Sequence, residues 1–483
     1  VTTQAAAVAE THAAVVVFLG DRAYKLRKPV DLGFLDYTTR AARLDAATRE
    51  VDLNRRLAPD VYLGIADVHD TDGALADHLV VMRRMPVDRR LSTLVTDGAA
   101  KVEAEVRRIA RVVADFHARA ERSDAADECA GRDALARRWR DNTREMTSLV
   151  GSVLDREAVE AVDALAARYL AGRGPLIAGR VAEGRAVDGH GDLLADDIFC
   201  LDDGPRILDC LEFDDQLRYE DVLADVAFLA MDLERLGRPD LGALFLEAYR
   251  DAAGDSWPVA HAHHHIAYRA QVRAKIAAIR ASQGDEQSQT AARHLLDLCR
   301  THLDAARIRL VLVGGLPGTG KSTLAAGLGA SLGAVVLRSD VVRKELLGVP
   351  VDASVAASFG EGAYAPDVTR RVYDELRRRA AEHVGLGASV VLDASWTDAH
   401  ERDLARLVAR EGHADLRELS CVVPQEVAAA RIHARAARGG DASDADEAVA
   451  AQMAATADAW PEATEVSTLG TPDAVLAGVL DRL

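Results

Sequence analysis

The stretch "IRLVLVGGLPGTGKSTLA", Ile308 to Ala325, constrains this chain more than any other. An apolar run of strand character meets Gly315-Leu316-Pro317-Gly318-Thr319-Gly320-Lys321-Ser322, which fits G-x-x-x-x-G-K-[ST], and a helix-forming run follows. Strand, glycine-rich turn and helix in that order put backbone N–H groups at a helix N-terminus, where they can curl around phosphate oxygens. Gly315, Gly318 and Gly320 free the backbone for that path. Lys321 then reaches the β/γ-phosphates, and Ser322, with Thr323 beside it, offers a hydroxyl to Mg²⁺. The expected ligand is Mg²⁺-ATP.

From about Ile308 the texture alternates: "GAVVLRSD", "GASVVLDAS" and "DLRELSCVV" are strands separated by helical runs. That alternation predicts an α/β domain, residues 304–483, with a parallel sheet covered by helices on both faces. Strand ends in such sheets face the ligand crevice. Asp340 stands at one such end, placed to take a hydroxyl proton or, alternatively, to cap the next helix; Arg343 follows on the same helical face, suited to an anionic group. Asp393 ends another strand, placed to steer Mg²⁺ or bind substrate. "AAARIHARAARGGDASDADEAV" reads as a mobile arginine-bearing lid breaking at Gly439-Gly440, whose Arg435 or Arg438 would stabilise charge on a transferring phosphoryl group. Together these elements resemble the small P-loop kinases (gluconate kinase, polynucleotide 5′-kinases and zeta-type toxins). In that group the aspartate after the second strand is the usual base and a lid arginine is catalytic.

Residues 1–303 carry a different pattern. "AAVVVFLGDRAYKLRKPV" is strand, Gly20-Asp21 turn, strand; a helix over the "TTRAARLDAATREVDLNRR" stretch follows, then the short strand "HLVVMRRMP". Residues from Ser92 to about Gly174 and from Tyr219 to Leu303 read as helical. Between them "VDGHGDLLADDIFCLDDGPRILDCLEFDD" supplies two short strands around a turn at Asp203-Gly204-Pro205. His190-Gly191-Asp192, then Asp197, then Glu212 with Asp214 nearby, has the spacing of a phosphoryl-transfer centre: a carboxylate at the nucleophile and oxygen ligands for Mg²⁺. The register leaves Asp196 open as an alternative to Asp197, and Asp209 as an alternative to Glu212. Lys25 in the second hairpin strand suits the α/β-phosphates, Glu50 in the helix would hold it, and Met82 to Met85 would carry the adenine.

This order resembles the aminoglycoside phosphotransferase and choline kinase superfamily, over about Val15 to Asp232. The resemblance implies an α+β protein-kinase-like fold ahead of the P-loop NTPase domain, with Asp225 bracing the H-G-D loop. Asp197 replaces the superfamily's asparagine and Glu212 its aspartate; both keep an oxygen ligand. Two functions of different class follow. In one, the chain is an ATP-dependent kinase of a small polar acceptor (a sugar, amino sugar or aminoglycoside-like compound) with a second P-loop kinase activity. In the other, only the P-loop domain turns over and the N-terminal domain is a pseudokinase regulator or scaffold.

Bulk properties narrow the partners. A formal net charge of −18 and 4% aromatic residues disfavour an extended nucleic-acid surface or an anionic membrane. Five scattered cysteines without a C-x-x-C pair suit a reducing, cytoplasmic setting. "HAHHHIAY" places His261 and His265 at i,i+4 on a helix, but without further ligands it reads as a surface or groove face rather than a metal site; Tyr268, Arg269 and Arg273 follow on a helix face expected to be solvated. The acidic run "EFDDQLRYEDVLAD" would attract a cationic acceptor.

Overall fold

The computed structural model describes residues 7–10, 13–31, 36–350, 360–438 and 447–482, without the side chains of 436–438. The chain divides into two compact units. The first is Val1–Asp163, Ile177–Trp257 and Ala262–His302; the second is Ala164–Leu176, Pro258–His261 and Leu303–Leu483. The main break thus falls at His302/Leu303, and two short stretches from earlier in the chain pack with the second unit. There Arg168 pairs with Asp415 at 2.7 Å, and the fully buried Arg173 donates to the carbonyls of Val384 and Gly412.

Unit 1 opens with an antiparallel sheet of β1 (Ala7–Glu10), β2 (Ala14–Leu19), β3 (Arg22–Arg27), β4 (Tyr62–His69) and β5 (Leu75–Arg83), in the order β1-β2-β3-β5-β4. The β2–β3 loop is Gly20-Asp21, with Gly20 at φ 62°, where a two-residue hairpin turn asks for glycine. Helix Arg40–Asn54 lies between β3 and β4; the Thr39 side chain caps it by accepting from the Ala42 N–H. Its buried face, Ala47, Val51 and Glu50 included, rests on Val80, Tyr62 and Phe199. Glu50 is thereby carried inward at the centre of an apolar layer, a placement a carboxylate tolerates only with charged partners.

The rest of unit 1 is helical, as the sequence predicts, save for two small ribbons. β6 (Ala186–Asp188) pairs with β9 (Tyr219–Asp221), and β7 (Ile198–Leu201) with β8 (Gly204–Ile207). The turn between β7 and β8 is Asp202-Asp203, not Asp203-Gly204-Pro205: Leu201 pairs with Gly204 and Pro205 lies within β8 opposite Cys200. In a two-stranded ribbon proline's missing N–H can face away from the partner, so it need not mark the turn.

Unit 2 has a five-stranded parallel sheet: β10 (Arg309–Gly314), β11 (Val335–Arg338), β12 (Val390–Asp393), β13 (Asp415–Val422) and β14 (Thr464–Ser467), ordered β11-β12-β10-β13-β14. Leu310 and Leu312 enter the core on one face with Val390 and Leu392. Val311 and Val313 enter the other with Val391 and Leu419. A strand buried on both sides needs a continuous apolar run, which is why "LVLV" shows no alternation. β14 carries little apolar signal and escapes the sequence reading. Among the described residues no helix is long and apolar enough to cross a membrane.

Candidate active sites

In unit 1 a cavity of about 670 Å³ is lined by Lys25, Tyr62, Met82, Met85, Asp197 and Asp209 among others, while Glu50 and Asp192 are not among its lining residues. Lys25 Nζ lies 2.9 Å from Glu50 Oε1 and 3.0 Å from Asp209 Oδ1. Burial opposes the Lys25 charge, yet the carboxylates of Asp209, Glu50 and Glu212 outweigh it and lift its pKa well above the usual lysine value. Glu50 also takes Arg27 Nη2 at 2.6 Å, so its buried charge is answered by two cations.

The loop that carries Asp192 is pinned from below. Gly191 adopts φ 82°, and a Cβ on Gly189 would come within 2.7 Å of Asp225 Oδ2. Asp225 accepts from the His190 N–H at 2.7 Å, the Gly191 N–H at 3.0 Å and His117 Nε2 at 3.0 Å. Burial would raise its carboxyl, but His117 and these bonds outweigh that and hold it well below the ordinary range. A second brace, invisible in the sequence, is Asp232, which accepts from the Ala195 N–H at 2.9 Å. Burial pushes the half-buried Asp192 up to about 7; Arg273 and Arg269 pull down against it, and Asp209 and Asp232 add to the rise. Asp197 is likewise raised well above the carboxylate norm, by burial first and then by Asp209, Asp192 and Asp196. Asp197 and Asp209 line the same cavity, a pair of carboxylates that could share a divalent cation.

The residues of the open register stand in different settings. Asp209, at φ 63°, points into the cluster and is held there by its N–H to Tyr62 Oη (3.2 Å) and by the Cys210 N–H to Asn54 Oδ1 (2.9 Å). Lys25 is the chief reason its pKa falls below normal. Glu212 reaches the same cavity but is tied to Arg27 Nη2 (2.8 Å) and Tyr37 Oη (3.2 Å). Asp214 stands apart, capping the turn Asp215–Leu217 through the Gln216 N–H at 2.9 Å, and Asp196 bonds Ser92 Oγ at 2.5 Å. We expect Asp209→Ala to lower unit 1 turnover by at least about 100-fold, and Glu212→Gln by only several-fold. ADP release in a Lys321→Ala background reads both.

In unit 2 the loop between β10 and helix Lys321–Leu332 carries Gly315, Gly318 and Gly320 at φ 135°, 82° and 87°. A Cβ on Gly318 would sit 2.5 Å from the Ala428 carbonyl oxygen, and one on Gly315 2.6 Å from that of Cys421. Gly318→Ala is therefore expected to weaken ATP binding at this loop by about 100-fold, since both the backbone conformation and the space are refused; a fluorescent ATP analogue titrated into a Lys25→Ala background measures it. The adjoining cavity, about 370 Å³, is lined by Lys321, Ser322, Thr323, Arg431, Arg435 and Thr468 among others. Arg431 and Thr468 were not foreseen. Thr468 Oγ1 donates to the Thr319 carbonyl at 2.6 Å, and Arg431 Nη2 donates to the Thr468 carbonyl at 2.7 Å, so the loop is tied to β14 and to helix Gln425–Arg438.

Asp393 ends β12, buried, with Arg338 Nε 3.3 Å from Oδ2 and with Oδ1 lacking a hydrogen-bond partner among the described residues. Burial raises its pKa, opposed by Lys321, Ser322 and Arg338. An orphaned buried carboxylate oxygen beside a lysine and a serine hydroxyl fits a hydrated Mg²⁺. Asp340 lies in the first turn of helix Ser339–Leu347; the cap residue is Arg338, without a side-chain cap bond, so the N-cap alternative for Asp340 is corrected. Arg343, read as a substrate ligand, is buried: Nη1 donates to the Ala363 carbonyl at 2.7 Å and the guanidinium lies 4.9 Å from the Tyr364 ring centroid. Arg435 lines the cavity, whereas the Arg438 side chain and the Gly439-Gly440 break lie outside the described residues.

Other expectations change. His261, His264 and His265 are buried rather than on a surface face, and no group of three potential metal ligands occurs among the described residues. Tyr268 and Arg269 are also buried; Tyr268 packs edge-on to Trp139, and Arg269 pairs with Glu220. The acidic run is spent internally, Asp215 on Arg218 (2.6 Å), Asp221 on Arg180 (2.5 Å) and Asp225 on His117.

Fold and sites define a two-unit protein with a P-loop nucleotide domain, and the AAA-domain family model matches residues 310–460. An uncharacterized protein of Mycobacterium tuberculosis strain H37Rv is 44% identical over 464 residues, spanning 96% of this chain and 92% of its own, and one of Mycobacterium bovis gives the same figures. The chain belongs to the family of these mycobacterial proteins. Among solved structures, a choline/ethanolamine kinase family protein from Mesorhizobium loti is 14% identical, covering 63% of this chain and 92% of that one at a TM-score of 0.40. A gluconokinase from Sinorhizobium meliloti is 17% identical over 36% of this chain and 90% of that one, at 0.26.

Proposed function

We propose that the protein is an ATP-dependent phosphotransferase with two nucleotide sites, and that unit 1 phosphorylates a hydroxyl of a small polar acceptor such as a sugar or amino sugar. The observation that carries this reading is the convergence of Lys25, Glu50 and Asp209 within ion-pair distance, beside a cavity that Lys25, Asp197 and Asp209 line. Lys25 positions the α/β-phosphates, Glu50 fixes Lys25, and Asp192 accepts the proton as the acceptor oxygen bonds to the γ-phosphorus and the bond to the ADP oxygen breaks. Asp192 suits this role because a base poised near neutrality exchanges protons readily. Asp197 and Asp209 in unit 1, and Ser322 and Asp393 in unit 2, would hold Mg²⁺, which would supply charge neutralisation at the phosphates.

Unit 2 would carry the second transfer, with Lys321 on the phosphates, Asp340 at the acceptor hydroxyl and Arg435 toward the transferring group. The five cysteines are unpaired, as a reducing cytoplasm keeps them. The test follows ADP release with sugars, amino sugars, aminoglycosides and 5′-hydroxyl oligonucleotides for wild type, Asp192→Ala and Lys321→Ala. An acceptor lost in Asp192→Ala but kept in Lys321→Ala supports the reading. Sensitivity of every acceptor to Lys321→Ala alone would leave unit 1 a regulator.

A further inference from the structure

We propose that Arg27 is a second phosphate-binding cation of unit 1, and that Glu212 is a resident counter-ion which the nucleotide phosphates displace; this rests on the phosphotransferase reading above. Lys25 and Arg27 stand two residues apart on β3, so the alternation of the strand turns both to one face, and both line the cavity of about 670 Å³. Glu50, which is not part of that lining, divides its oxygens between them: Oε1 lies 2.9 Å from Lys25 Nζ and Oε2 lies 2.6 Å from Arg27 Nη2. The second carboxylate on each cation does belong to the lining. Lys25 holds Asp209 at 3.0 Å, and Arg27 holds Glu212 at 2.8 Å.

The two kinds of partner differ in freedom. Glu50 is fully buried within helix Arg40–Asn54 and cannot leave without unpacking that helix. Asp209 and Glu212 belong to an irregular stretch, residues 208–214, between β8 and the turn Asp215–Leu217. Phe213, the neighbour of Glu212, is exposed and lines the same cavity. A side chain on such a stretch swings aside at the cost of its own bonds, here those to Arg27 and to Tyr37 Oη at 3.2 Å. Phosphate oxygens then replace carboxylate oxygens on the guanidinium, while Glu50 keeps Arg27 aimed. Glu50, Asp209 and Glu212 against Lys25 and Arg27 leave an excess of negative charge at the cavity wall, so the withdrawal of Glu212 favours an incoming anion.

The test is calorimetric titration of the full chain carrying Lys321→Ala, in Mg²⁺, with a non-hydrolysable ATP analogue and with adenosine. We expect Arg27→Gln to weaken the analogue about 10- to 100-fold and leave adenosine unchanged, and Arg27→Lys to restore part of the loss. Glu212→Gln should tighten the analogue about 3- to 10-fold, a change of opposite sign that a merely structural ion pair would not produce. Should Arg27→Gln unfold unit 1, Glu212→Gln still decides. The proposal is overturned if Glu212→Gln leaves the analogue's affinity unchanged or weakens it, or if Arg27→Gln weakens adenosine as much as the analogue. Analogue binding lost in Lys25→Ala, yet indifferent to Arg27→Gln and Glu212→Gln, would overturn it as well and leave the phosphotransferase reading standing. Analogue binding that answers both substitutions as expected, without ADP release by unit 1 on any acceptor, would sink the transfer reading and keep the Arg27 site.

Discussion

Asp192→Asn should lower acceptor phosphorylation by unit 1 about 10²- to 10⁴-fold in kcat, with ATP binding retained and the folded state made more resistant to heat. The two effects share a cause. Burial holds the Asp192 carboxyl up to about 7, so the ionised form needed to accept a proton is disfavoured in the fold. In the wild type, turnover by unit 1 should fall as pH drops through that value, because the base becomes protonated. Stability moves the other way. The unfolded chain releases this proton near the ordinary aspartate value and the folded one only near 7, so the wild type loses stability as pH rises between the two. Asparagine carries no such proton. The gain in melting temperature of Asp192→Asn over wild type, measured in chelator, should therefore be small near pH 4 and largest above pH 7. A gain independent of pH would contradict this account of the site.

Asp225→Ala should cost unit 1 about 3–5 kcal/mol, the penalty of breaking a buried charged network from one side. The carboxylate is fully buried and accepts from two successive backbone N–H groups of the loop and from His117, which also bonds Tyr249 Oη at 2.8 Å. Removal leaves the His190 and Gly191 amides and an imidazole nitrogen without partners in a dry place, and frees the loop that aims Asp192. Urea unfolding of the full chain should show an earlier transition in Asp225→Ala and a smaller shift in Asp225→Asn, which keeps one acceptor oxygen. ATP affinity at the P-loop should stay as it was. An unchanged urea midpoint would show that the brace does not hold the loop.

Much of both sites is legible in the sequence because their chemistry is local. The P-loop needs its glycines within eight residues, and His190-Gly191-Asp192 needs Gly191 at a positive φ. Lys25 and Glu50 fall on a strand and a helix whose periods are plain, so their meeting follows from the order of elements. What escapes detection is set by contacts between distant segments. Asp209 meets Lys25 because it takes a left-handed conformation, held by Tyr62 and Asn54 from other elements, which strand alternation alone does not show. Thr468 and Arg431 tie the P-loop from segments more than a hundred residues on, with no motif to mark them. Arg343 looked available because its anchor, the Ala363 carbonyl, lies in a stretch without periodic signal. The histidine cluster looked exposed because polarity was read as solvation, although the helix that bears it is enclosed.

The claim that both sites hold nucleotide is tested most directly by counting. Equilibrium dialysis of a non-hydrolysable ATP analogue against the full chain with Mg²⁺ should saturate at two molecules per chain, at one in Lys25→Ala and in Lys321→Ala, and at none in the double variant. Saturation at one molecule, abolished by Lys321→Ala and untouched by Lys25→Ala, would contradict it.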